Sequence, residues 1–203
     1  MHLPPGSTVL YAELVWGGLF RSTVNNISAL TDNAVTFTLP SGAIQVSPDV
    51  ITRQNFNITN NGVTVGFYVR SANVTTQVRA AGGGTYTVGG VPSLIEALDQ
   101  RTSETNHAGR TLAVVYEDPT QPLRDLTLWC GGAVVSPSTG DTDVLLTGFI
   151  TPAVQPITGK IFVSAREGDA VISGDRMLFG RTIAALTSLS GVNNPIGNFS
   201  RRR

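Results

Sequence analysis

Charge is scarce in this chain: 14% of its 203 residues are charged, and 14 acidic residues balance 14 basic ones to a formal net charge of zero. That balance argues against a broad basic face for nucleic acid, the run Arg201-Arg202-Arg203 being the one exception, and an α-helical protein would usually carry more charge. Cysteine is nearly absent. The single Cys130 cannot form an intramolecular disulfide, so a small cross-linked scaffold is ruled out, and at this length a core needs no cross-link. Lys160 is the only lysine. No apolar run approaches the ~20 residues of a membrane span, and Met1-His2-Leu3-Pro4-Pro5-Gly6 lacks the basic start and apolar core of a signal peptide. If the protein is exported, the chain is expected to be a mature fragment. Also missing are a G-x-S-x-G nucleophile elbow, an EF-hand spacing and an internal repeat of fixed period.

What the chain has in quantity is glycine, 22 residues, with 11 prolines, a composition suited to many strands joined by tight turns. Leu112 to Tyr116 is an apolar run of strand length with no polar face, which predicts a strand covered on both sides at a central position. Glu117, Asp118 and Pro119 then demand a turn, and Leu123 to Trp129 alternates as an antiparallel partner would, up to Gly131-Gly132. Thr8 to Trp16 is apolar on both faces apart from Glu13, which needs a partner, and Gly17-Gly18 is expected to end it. Val35 to Leu39 has one buried face, and Ile44 and Val46 suggest its return strand. Asn55 to Gly62 reads as an exposed loop or hairpin tip, and Val65, Phe67 and Val69 as one face of a further strand.

Asn73, Val74 and Val78 fit a short capped helical turn closed by Gly82-Gly83-Gly84, followed by a strand at Thr85 to Val88. Pro92 to Arg101 is the best helix candidate. Val144 to Ile150, Lys160 to Ala165 and Met177 to Phe179 are expected strands, and Arg181 to Leu189 a short helix or irregular cap. The resulting fold class is all-β: a two-layer β-sandwich of jelly-roll or related type with one or two short helices. It is expected to form a single domain over residues 1–203, with the last strands truncated and residues 198–203 a tail.

Several segments resemble a known family. Thr111 to Trp129 (TLAVVYEDPTQPLRDLTLW), Val9 to Gly18 (VLYAELVWGG), Val69 to Val88 (VRSANVTTQVRAAGGGTYTV) and Glu167 to Asp175 (EGDAVISGD) resemble the β-rich head domains of large secreted or cell-surface proteins of Gram-positive-type bacteria. In that family such a domain precedes repeated immunoglobulin-like stalk modules. The chain departs from the pattern near Cys130 and Gly132, where the family carries an acidic residue and an aromatic. The resemblance implies an extracellular, non-enzymatic module with an adhesive or structural role. Its implied partners are an extracellular ligand or neighbouring surface-protein modules, with self-association as a further option.

The candidate chemistry is sparse. Glu167, Asp169 and Asp175 are candidate calcium ligands, and Asp141 and Asp143 lie in a second Gly-flanked loop; the same residues equally make backbone turns. Structural Ca2+ is thus the one cofactor under consideration. Glu117 and Asp118 are adjacent on a strand and face opposite ways, which suits a turn or an ion pair with Arg124 better than paired catalysis. His107, in a polar segment, reads as a solvated loop histidine, and Lys160 as a solvated lysine or the donor of an isopeptide bond. Two other functions remain open: a self-assembling filament or capsid subunit, and a carbohydrate-binding or carbohydrate-active module. For the latter, Trp16 or Trp129 would have to lie exposed to stack on a sugar, whereas the buried core is the expected place for both.

Overall fold

A computed structural model describes residues 1–60, 62–95, 106–135, 140–150, 153, 159–164, 174 and 176–190. The longest run of residues with no polar face forms the longest strand, β1 (Thr8–Arg21), in which Ala12 to Phe20 are all buried. It runs through the middle of an antiparallel sheet made with β4 (Gln54–Asn60), β5 (Val63–Asn73) and β7 (Ala108–Glu117), in the order β4-β5-β1-β7. A second antiparallel sheet, β3-β2-β6, comes from β2 (Val35–Leu39), β3 (Gly42–Val46) and the short β6 (Thr87–Gly89). The pair β8 (Leu178–Phe179) and β9 (Thr187–Ser188) completes the described strands.

The fold is therefore all-β and sandwich-like, and period two decides which side chains lie between the sheets. Leu14 and Trp16 of β1 and Tyr68 and Ala72 of β5 form one cluster with Val35, Phe37, Leu39 and Val46 of the smaller sheet. Leu112 and Val114 of β7 pack against its margin. Each fully buried aliphatic or aromatic side chain contributes about 1.5–3 kcal/mol relative to an exposed one.

The one α-helix among the described residues, α1 (Thr75–Ala81), forms where Asn73, Val74 and Val78 predict it. The Asn73 side-chain oxygen accepts the Thr75 amide at 3.0 Å, Val78 is fully buried, and Gly82 closes the helix at φ 70°. The helix is stitched to β1 where that strand bulges between Val9 and Tyr11. There the Arg79 guanidinium donates to the carbonyls of Val9 (2.7 Å) and Leu10 (3.2 Å), partnering groups at the irregularity.

Several expectations need correction. The run Leu112 to Tyr116 is a strand, but it lies at the end of the sheet and residues 111–115 are only half-buried; the central strand is β1. Gly17-Gly18 does not end β1. The glycine at 18 instead admits a close approach: a Cβ there would come within 2.8 Å of the Ser93 hydroxyl and 2.9 Å of the His107 carbonyl. Asn55 to Asn60 belong to β4, so the hairpin tip is confined to the turn before Val63. Val65, Phe67 and Val69 do share one face of β5, and the opposite face, with Tyr68, Arg70 and Ala72, is the one turned to the core. Leu123 to Trp129, Val144 to Ile150 and the described part of the segment from Lys160 belong to no strand ladder among the described residues. Arg181 to Leu189 holds a single 3-10 turn, Ile183–Ala185, beside β9. The helix expected at Pro92 to Arg101 falls largely outside the described residues, and residues 92–95 are not helical. Among the described residues no helix is long and apolar enough to cross a membrane.

Candidate functional site

The deepest burial of charge in the sandwich belongs to Arg70, at 2% exposure. It lies on the inner face of β5, paired with Trp16 of β1. Its Nε donates to Asp32 at 2.6 Å, Nη1 to the carbonyls of Gln54 (2.8 Å) and Val69 (2.9 Å), and Nη2 to Thr31 and Asn55 (both 2.9 Å). Every guanidinium N–H thus has an acceptor, and the cation also lies 5.2 Å from the centre of the Tyr68 ring. Asp32 is shared with Arg53 at 2.9 Å. With all donors used, Arg70 is a clamp holding the loop through Thr31 and Asp32 against the sheet, with nothing left for a ligand. A lone arginine between Val69 and Ser71 in β5 does not announce this, since most of its partners lie in other segments.

A different arrangement occupies the outer face of the four-stranded sheet. Period two puts Tyr11, Glu13 and Val15 of β1 on that face, beside Val69 and Ser71 of β5. Glu13 is 5% exposed, and the partner it needed is Tyr11, whose hydroxyl donates to its carboxylate at 2.5 Å. Ser71 is 2% exposed, and its Oγ has no hydrogen-bond partner among the described residues. The segment Leu128 to Gly132 crosses above this floor. The Gly132 amide donates to the Gln54 side-chain oxygen at 2.8 Å. A Cβ on Gly132 would lie 2.8 Å from both Phe56 and Val69, so only glycine lets the backbone descend so far. Between floor and segment is a cleft of about 330 Å3, walled by Gln54, Leu128, Trp129 and Cys130.

The hydrogen bond to Glu13 holds the Tyr11 proton. That bond first, then burial and the Glu13 charge, push the phenol from 10.0 up to about 12. Because the folded value exceeds the free one, the stabilisation is complete below pH 10 and is lost as pH rises through about 12. Subtracting the ultraviolet phenolate titration of Tyr11→Phe from that of the parent isolates this group from Tyr86, whose hydroxyl burial also raises. The expected midpoint of the difference lies near 12, and one near 10 would show that the Tyr11–Glu13 bond is absent in solution.

No family model, curated protein or solved structure matches this chain. Fold and geometry therefore carry the functional reading. The candidate calcium ligands Glu167, Asp169 and Asp175 lie outside the described residues. Asp141 and Asp143 are exposed, and among the described residues no cluster of three or more His, Cys, Asp and Glu side chains gathers. Asp118 makes the turn expected of it, its carboxylate accepting the Thr120 amide at 2.9 Å, and among the described residues Glu117 forms no ion pair with Arg124. His107 is not a solvated loop residue. It is 8% exposed with its ring 5.2 Å from that of Phe67, because β7 carries it onto the sheet just ahead of Ala108. Lys160 is exposed. Trp16 is fully buried as expected, but Trp129 is 50% exposed rather than in the core, a difference that their similar apolar surroundings in sequence do not reveal.

Proposed function

We propose that this chain is a non-enzymatic, extracellular structural or adhesive module of a bacterial surface protein, which works by packing against neighbouring modules or copies of itself. The observation that carries this reading is the apolar surface of its second half. Leu123, Leu145, Ile150 and Phe162 are 101, 79, 83 and 90% exposed, on backbone that closes no ladder among the described residues. A soluble monomer rarely leaves so many large side chains in water, whereas a surface that meets a partner does. The few local ties in this region, Thr127 to the Gly148 carbonyl at 3.2 Å and Ile150 to the Asp125 carboxylate at 2.8 Å, hold the segments to each other and leave those side chains outward. The low charge and the resemblance of Thr111 to Trp129 to bacterial surface head domains support the compartment.

Sedimentation velocity on the purified chain tests this. Concentration-dependent association is expected, reverting to monomer in a Leu123→Asp/Phe162→Asp variant. A parent that stays monomeric up to its solubility limit, or that is protected from protease added to intact cells, would overturn the proposal. A discrete closed particle or an open filament in the same experiment would identify the chain as a shell or fibre subunit, a reading the same apolar surface favours.

A further inference from the structure

We propose that the cleft on the outer face of the four-stranded sheet binds a neutral saccharide, with one sugar ring against the Trp129 indole and its hydroxyls on Glu13 and Ser71. The two tryptophans of the chain make the contrast. Trp16 is completely withdrawn into the core, while Trp129 stands half in water at the wall of a concave site. An indole face bordered by polar groups suits the C–H face of a pyranose, which is apolar in the middle and ringed by hydroxyls.

The floor supplies what those hydroxyls need. Ser71 Oγ is buried without a partner among the described residues, an unfavourable state that a ligand hydroxyl would relieve. The Glu13 carboxylate is bonded to the Tyr11 hydroxyl alone among the described residues, so most of its acceptor capacity is open. In the ladder Glu13 faces Asn73 and Val15 faces Ser71, so Glu13 and Ser71 are diagonal neighbours on one face. A single sugar hydroxyl is both donor and acceptor and can serve both. The Gln54 side-chain oxygen is taken by the Gly132 amide, which turns its NH2 into a remaining donor. This set of one aromatic platform, one charged acceptor, one hydroxyl and one amide is the chemistry of polyol recognition.

Charge sets the class of sugar. No described residue lining the cleft is basic, and Glu13 is an anion withdrawn from water. A uronic acid, a sialic acid or a phosphorylated sugar would bring a second negative charge beside it with no compensating cation. Neutral hexoses and N-acetylhexosamines are therefore the expected ligands. A volume of about 330 Å3 has room for one such ring, the rest of a glycan lying outside.

The site goes beyond the assembly proposed above and is tested apart from it. The purified chain is titrated with methyl glycosides of neutral hexoses, N-acetylhexosamines and a uronic acid, followed by calorimetry and tryptophan fluorescence. Saturable binding of at least one neutral glycoside is expected, with no response to the uronic acid. Trp129→Ala should weaken it about tenfold, corresponding to roughly 1.4 kcal/mol, and Ser71→Ala several-fold. Trp129 is on the surface, so folding of that variant is checked by the unchanged near-ultraviolet signal of Trp16. The Leu123→Asp/Phe162→Asp variant should bind sugar as the parent does whether or not the parent assembles. Absence of saturable binding by every neutral glycoside, equal binding by Trp129→Ala, or preference for the uronic acid would each overturn the site.

Discussion

Arg70→Met is expected to destabilise the protein by about 3–5 kcal/mol, measured as the shift in urea-unfolding free energy. The reason is the number of groups it would strand. Methionine fills similar space but donates nothing, so the carbonyls of Gln54 and Val69 and the side chains of Thr31 and Asn55 all lose a donor at once. Asp32 is 43% exposed and can be rehydrated, so its freed charge is the smaller part of the loss. Arg70→Lys should recover little, because three donors on a point charge cannot reproduce a planar fork that reaches several acceptors. Asp32→Asn, which keeps an acceptor and removes only the charge, should cost less than either. Loss of under about 0.5 kcal/mol in Arg70→Met would show that the clamp is decoration on a loop already held by other means.

Trp16→Ala should cost about 3–5 kcal/mol, lowering the melting temperature by roughly 10 °C in a chain of this size. Trp16 is among the largest fully buried side chains and sits where β1 faces the second sheet, so its removal leaves a void lined by both layers. A twist distinguishes this position from an ordinary core site. The indole Nε1 has no partner among the described residues, so the native residue already carries an unpaired donor. Trp16→Phe gives back that penalty while losing part of the packing, and it should cost well under half of what Trp16→Ala does. If the phenylalanine variant is as damaged as the alanine one, shape complementarity outweighs the unpaired N–H. If alanine is tolerated within 1 kcal/mol, the two sheets are not packed on Trp16 as described.

Where local pattern sufficed, expectation and structure agree. Val35 to Leu39 alternates cleanly, and it forms β2 with Val35, Phe37 and Leu39 buried; Ile44 and Val46 return beside it in β3. Asn73 and Gly82 bracket α1 because a capping amide and a residue free to adopt positive φ act within a few residues of each other. Glu13 was recognisable as a buried carboxylate in need of a partner, though Tyr11 as that partner was not, since their contact depends on both sharing a face of a bulged strand. The less successful expectations share one cause. Leu123 to Trp129 and Val144 to Ile150 have strand-like composition, yet a strand exists only where another offers its backbone, and no described residue does so here. Arg70 and Ser71 were hidden because polar residues in a strand are ordinarily solvated, and His107 because its polar sequence neighbours suggest a solvated loop. Their burial follows from segments that return to the sheet from elsewhere in the chain.

By itself the order of amino acids determined the all-β class, the two-faced apolar character of β1, the β2–β3 hairpin and the capped helix, because each depends on periodicities and turn chemistry spanning a few residues. Tertiary structure alone decided that β1 rather than β7 is central, that Arg70 is enclosed by acceptors, and that Trp129 lines one cleft with Glu13 and Ser71. Strand order and register are set by long-range burial, in which distant segments compete for the same apolar faces, and no short window of residues records the outcome of that competition.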